Sequence, residues 1–142
     1  MALIYFYDAT ELDKQQLTEG LMPTDHHWEY VQDKISDNNL NPDTEVVSVF
    51  VTSTVNKEIM DKLPNLKLIA CRSTGFNNVD LAAASERGIT VVNVPTYGEV
   101  TVAEYTFALL LSLSRKIPTI IKSSSSNILP NELNGWDLSD KT

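Results

Sequence analysis

Sulfur and imidazole ligands are scarce in this chain. A single cysteine, Cys71, excludes an intrachain disulfide and any zinc site built on several thiolates. The two histidines, His26 and His27, are adjacent, carry no metal-ligand spacing around them, and read as surface or edge-strand residues. Long apolar runs are missing as well. The longest mostly apolar stretch, Val102 to Leu113, is too short to span a bilayer and contains Glu104 and Ser112, so no membrane partner is expected. No basic segment precedes the apolar start, so a secretory leader is not expected and a cytoplasmic protein is the default. Positive charge is also short: eleven Lys and Arg stand against nineteen Asp and Glu, net −8 over 142 residues. The deficit falls entirely in residues 1–65, which hold twelve acids and four lysines, while the remainder balances. Phosphate binding needs clustered Lys and Arg, so a nucleic-acid surface is excluded as an expectation, and the acidic half reads as a solvated face.

What is present alternates. Ala2–Tyr7, His27–Val31, Glu45–Val51, Leu66–Cys71 and Ile89–Val94 are short runs rich in β-branched and aromatic residues, and read as five strands. Between them lie helix signals: Thr10 with Asp13 three residues on, Asn56 before Lys57, and Asp80 before Leu81, each a side-chain cap for a first turn. Gly88 stops the third helix. Thr101 opens a long helix, Val102 to about Ile117, and the tail after Pro118 is rich in Ser, Asn and Pro, with a Ser123–Ser126 run read as a flexible loop. Strands alternating with helices mean a parallel sheet with helices on both faces. Five such units predict an α/β, flavodoxin-like doubly wound sheet of order 2-1-3-4-5, followed by a long crossing helix. Ligands of such sheets sit at the carboxyl ends of the strands, which makes the loops after Tyr7, Val51, Cys71 and Val94 the candidates.

Those loops narrow the chemistry. In Arg72-Ser-Thr-Gly75, small residues allow close approach to the backbone, successive amides can form an anion-binding concavity, and Arg72 adds a cation at its root. The same residues also suit an ordinary strand-to-helix turn. Asn77 and Asn78 read as caps of that turn and Asp80 as the N-cap of the helix after it. Tyr97, after the fifth strand and before Gly98, either offers its phenol to a small polar ligand or covers the sheet edge. Glu104, in the expected first turn of the long helix, suits the helix dipole. Cys71 reads as an inert core thiol. Asp8 sits where a phosphoacceptor aspartate would, but Thr52-Ser53 and Pro95-Thr96 replace the aspartate and lysine such a site needs. The Ala9–Lys14 loop likewise lacks the Ser/Thr/Gly content of a flavin-phosphate loop. Phe107-Ala-Leu-Leu-Leu111 and Leu113 leave the long helix without a polar face for nearly two turns, so it expects a second domain or subunit against it.

Three ordered motifs resemble one family. Arg72-Ser-Thr-Gly-Phe-Asn-Asn-Val-Asp-Leu-Ala-Ala-Ala84, Gly88-Ile-Thr-Val-Val-Asn-Val-Pro95 and Val102-Ala-Glu-Tyr-Thr-Phe-Ala-Leu109 with Arg115 are similar to the NAD-dependent D-2-hydroxyacid dehydrogenases. Phe76–Asp80 and Pro95–Tyr97 most resemble the D-lactate dehydrogenase branch. The resemblance implies a substrate domain over 1–97, a crossing helix over 98–118 and a linker over 119–142 toward a dinucleotide-binding domain. It implies that amides at Ser73, Thr74, Gly75 and Phe76 hold a 2-oxoacid carboxylate, with Asn77 and Tyr97 lining the pocket. Thr74, Val102 and Glu104 would lie on the nicotinamide side, the chemistry being hydride transfer between NAD(H) and C2 of a small D-2-hydroxy acid. The sequence departs from the family in containing no G-x-G-x-x-G turn, no later histidine and no candidate for the catalytic arginine, since Arg72, Arg87 and Arg115 match structural positions. The expectation is therefore a substrate-binding half that does not turn over alone or bind NAD tightly, forming a homodimer through the Val102–Leu113 helix. A non-catalytic binding or dimerisation module derived from the family is the alternative.

Overall fold

The structure is a computed structural model that describes residues 1–123 and 133–139. The chain divides into two compact units, Met1–Tyr97 and Gly98–Thr142. The first alternates strand and helix: β1 (Leu3–Phe6), α1 (Glu11–Leu21), β2 (His27–Tyr30), a 3-10 turn at Asp37–Asn39, β3 (Val46–Val49), α2 (Lys57–Asp61), β4 (Leu68–Cys71), α3 (Leu81–Glu86) and β5 (Thr90–Val92). All neighbouring strands pair in parallel, in the expected order β2-β1-β3-β4-β5. Each strand is shorter than its apolar run, because the ladder ends where the loops turn away.

Right-handed crossovers place α1 on one face of the sheet and α2 and α3 on the other, since the chain moves in opposite directions from β1 to β2 and from β3 to β5. The side chains divide accordingly. Ile4, Phe6 and Ala9 are buried with Leu17 and Leu21 of α1 packed on them. Val47, Val49, Ile69 and Cys71 are buried on the opposite face with Ile59, Met60, Ala83 and Ala84 of α2 and α3. Burial raises the Cys71 thiol pKa, as suits a core residue. The helices start where the caps put them. The Thr10 hydroxyl accepts from the Asp13 amide while the Asp13 carboxylate accepts from the Thr10 amide, a reciprocal capping box. Asn56 accepts from the Ile59 amide and Asp80 from the Ala83 amide. Gly88 takes φ 66°, the left-handed conformation that ends α3 without a Cβ penalty.

The second unit differs from the sequence expectation. Its first helix, α4, spans Glu99–Ser114 with Gly98 as N-cap, so Thr101 lies inside it rather than opening it. Glu99 therefore occupies the first turn and Glu104 the second. The helix ends at Ser114 because Lys116 takes φ 52°, and a further helix, α5, begins at Ile117 and runs to Ser123. Pro118 does not break it: proline in a first helical turn forgoes an amide that has no intrahelical partner anyway. Ser124–Ser126 and the Asp140–Thr142 end lie outside the described residues. Tail residues return to the end of α4, where the Trp136 amide donates to the Ser114 carbonyl at 2.8 Å and Arg115 pairs with Asp137 at 2.7 Å. Gly135 permits that approach, since a Cβ there would stand 2.3 Å from the Ser114 oxygen. Within α4 only Ser114 is buried, and Phe107, Leu109, Leu110, Leu111 and Leu113 are all exposed. No helix among the described residues is long and apolar enough to cross a membrane.

Candidate functional site

The carboxyl edge of the sheet carries two kinds of loop. At the point where strand order reverses, between β1 and β3, the crevice is filled by the protein itself. The Arg72 guanidinium turns back from the end of β4, donating to the Tyr7 carbonyl at 2.8 Å, the Asp8 carbonyl at 3.2 Å and the Ser48 hydroxyl at 3.1 Å. Burial lowers the Arg72 pKa, against the opposing pull of Asp13 and Asp8. Asp8 takes φ 55°, a conformation aspartate tolerates better than most residues, and its carboxylate accepts from the Phe50 and Ser53 amides and the Thr52 hydroxyl. Arg72 is thus committed to the scaffold, and the cation expected at the root of the loop does not face a ligand.

The loop after β4 is open. Ser73 is buried and holds the turn, its hydroxyl donating to the Gly75 carbonyl at 2.7 Å. Thr74, Gly75, Phe76 and Asn77 are exposed. Their amides, and those of Ser73 and Asn78 on either side, donate to no group among the described residues; the first paired amides beyond them are Arg72, which bonds the Val49 carbonyl, and Val79, which bonds the Phe76 carbonyl. Backbone amides on an exposed loop that lack a protein partner must bond water or a ligand acceptor, and a carboxylate is one such acceptor. Gly75 has open space where a Cβ would point, so its value there is access rather than conformation.

Neighbouring segments fix this loop from two sides. The Asn93 side-chain amide donates to the Thr74 carbonyl at 2.8 Å and the Val94 amide to the Ser73 carbonyl at 3.1 Å, which aligns the segment leading to Tyr97. Tyr97 is 62% exposed, and its hydroxyl bonds no described residue. On the other side, the Asn78 side chain donates to the Phe50 and Ser53 carbonyls, so it ties down the 50–53 loop rather than capping its own turn as the sequence suggested. Val51, Gly75, Asn77 and Asn78 line an open cleft of about 210 Å³. A second depression of about 150 Å³ is lined by Phe76, Leu81, Val91, Val92 and Asn93. Ser73 to Asn77 therefore form one loop beside the approach to Tyr97, while Val102 and Glu104 stand exposed on α4 in the other unit. Asn93 and Val51 went unnoticed in the sequence. An Asn closing a strand was a usable signal for the first, but Val51 is an ordinary apolar residue until β3 and β4 are paired. A larger depression of about 310 Å³ lies at the opposite edge of the sheet. Its one cation, Arg87, is taken by Asp61 and the Ala83 carbonyl. Among the described residues no group of three His, Cys, Asp or Glu could hold a metal ion.

Residues 4–131 match the family described as D-isomer specific 2-hydroxyacid dehydrogenase, catalytic domain. The chain belongs to this family. A 2-hydroxyacid dehydrogenase homologue of Schizosaccharomyces pombe is 39% identical over 98% of the chain, and a homologue from Zymomonas mobilis 44% identical over 70%. Among solved structures, D-lactate dehydrogenase of Aquifex aeolicus, complexed with NAD and lactic acid, superposes with a TM-score of 0.84 at 26% identity. It covers 94% of this chain. The apo D-lactate dehydrogenase of Escherichia coli gives 0.72 at 29% identity over 94% of the chain. As a member of the 2-hydroxyacid dehydrogenases this chain is partial in extent: it spans 43% of the S. pombe relative and 41% of the Aquifex enzyme. The glycine-rich G-x-G-x-x-G turn that holds a dinucleotide pyrophosphate is not among the residues of this sequence.

Proposed function

We propose that this chain is the substrate-holding half of an oxidoreductase acting on a small D-2-hydroxy acid or its 2-oxoacid, and that its substrate loop is Ser73–Asn77. The observation that carries the reading is the run of amides at Thr74, Gly75, Phe76 and Asn77, with Ser73 and Asn78 flanking them, that donate to no group among the described residues. A carboxylate accepting from such amides makes charge-assisted bonds, each worth about 1.5–3 kcal/mol. Asn77 and the Tyr97 phenol then supply the neutral polar partners of the carbonyl or hydroxyl oxygen. Thr74, Val102 and Glu104 are assigned to the cofactor side of the cleft in the full-length protein, with NAD as the hydride carrier. In this chain we assign them no step, because hydride transfer needs an acid–base pair, a catalytic cation and a dinucleotide fold from the length that relatives carry beyond this match. A cytoplasmic setting suits the free, buried thiol of Cys71.

Gly75→Ala tests the loop directly. The added methyl meets nothing within 4 Å, so folding stability should stay within about 0.5 kcal/mol of wild type. The methyl would stand where the anion approaches, so calorimetric titration with pyruvate should show affinity weakened at least several-fold. Unchanged pyruvate affinity in a folded Gly75→Ala protein contradicts the assignment.

The second reading, a non-catalytic binding or dimerisation module, draws on α4. Its exposed Phe107, Leu110 and Leu113 are the kind of contiguous apolar face that monomers seldom carry. Both readings include a homodimer through Val102–Leu113. Sedimentation should show a dimer at micromolar concentration and Leu110→Glu should shift it toward monomer; a wild-type monomer removes the pairing.

A further inference from the structure

The 50–53 loop is held in an unusual way for a loop of its size. Its Phe50 and Ser53 amides both donate to one carboxylate oxygen of Asp8, at 3.0 and 3.2 Å. The carbonyls of the same two residues both accept from the side-chain nitrogen of Asn78, at 2.9 and 2.7 Å. The Thr52 hydroxyl donates to the other Asp8 oxygen. Two side chains, far apart in sequence, thus satisfy both polar groups of the same two residues from opposite sides. What the loop presents between them is Val51, 58% exposed, on the wall of the cleft shared with Gly75 and Asn77. Asp8 does this from a left-handed backbone, φ 55°, and the Arg72 guanidinium donates to its carbonyl at 3.2 Å.

From this we infer that Asp8, acting with Asn78, is a positioning residue for the substrate cleft: it sets how far Val51 stands from the loop at Gly75–Asn77. That spacing decides how large a group on C3 of the 2-oxoacid the cleft admits. The inference rests on the substrate reading given above. Asn78 lies directly after Asn77, so a shift of the 50–53 loop is passed to the amide run through one residue. Asp8 touches no ligand atom in this account and acts only through the loop it holds.

The test uses the full chain and two probes, pyruvate and the bulkier phenylpyruvate, followed by amide NMR and calorimetry. Asp8→Gly keeps the left-handed backbone without strain and removes both accepting oxygens. It should displace the Val51 and Asn77 amide signals and change the ratio of the two dissociation constants at least threefold. Asp8→Asn, which keeps one accepting oxygen, should recover part of that ratio. Asn78→Ala, which frees the two carbonyls from the other side, should move the ratio in the same direction and stands in if Asp8→Gly fails to fold. A purely structural role would lower the unfolding temperature and leave the ratio where it was; that result, with wild type binding both probes, overturns this proposal alone. Wild-type protein whose amides at 74–77 respond to neither probe overturns the substrate reading and this proposal together.

Discussion

Two loop systems share one edge of the same sheet and have opposite fates. Where β1 and β3 end, hydrogen-bonding capacity is spent internally: Arg72 satisfies the Tyr7 and Asp8 carbonyls and the Ser48 hydroxyl, and Asp8 satisfies the 50–53 loop. Where β4 ends, the consecutive amides from Ser73 to Asn78 donate to no group among the described residues. The reversal point of a doubly wound sheet is the usual ligand crevice, yet here it is filled, and the open ground lies at the next strand end. Unspent polar groups mark the candidate site better than topology alone, because a backbone donor without a protein partner must find water or a ligand.

The contrast can be broken most severely at Arg72. Arg72→Met strips a charged donor from three acceptors at once, and should cost about 3 kcal/mol of stability in urea unfolding, since each bond to a charged group contributes about 1.5–3 kcal/mol before solvent compensates. A loss below 1 kcal/mol would mean that the crevice is held by packing alone.

A smaller effect belongs to Tyr7, at the end of β1. It is fully buried, and its hydroxyl donates to the Asn39 carbonyl at 2.9 Å. Burial, helped by the neighbouring Tyr5, pushes its pKa up to about 12. The folded state therefore holds the phenol proton more tightly than the unfolded chain, whose tyrosine titrates near 10. Its contribution is complete below about pH 10 and is lost as pH rises toward about 12. Tyr7→Phe should cost about 1 kcal/mol at neutral pH and flatten the fall in stability over that alkaline range. An alkaline unfolding profile identical in the two proteins would place the titration elsewhere.

The sequence announces much of this architecture because its signals are local. Thr10, Asn56 and Asp80 declare their caps within three residues, and the apolar runs of β3, β4 and β5 are bounded by turn residues. The end of α4 was hidden for the same reason in reverse. No glycine or proline interrupts the chain from Glu99 until Pro118, and the break comes from the left-handed backbone of Lys116, which composition does not mark. The site was half legible. Ser73–Asn77 stand out as small and polar residues after a strand, but the commitment of Arg72 to β1 and β3, and the bonds from the 50–53 loop to Asp8, join residues 24 to 65 positions apart. Such contacts exist only once the sheet has set its order. Asp8, dismissed from the sequence as a failed phosphoacceptor, is the clearest instance: its residue type was noticed and its partner was not.

The central claim is that the amides of the loop after β4 bind a carboxylate. Amide NMR of the chain titrated with pyruvate, against pyruvamide as the uncharged control, tests it most directly. The account predicts that the Thr74, Gly75, Phe76 and Asn77 amide signals move together, in a saturable way, with pyruvate and not with pyruvamide. Signals at 74–77 that stay fixed with pyruvate, or follow both compounds equally, would contradict it.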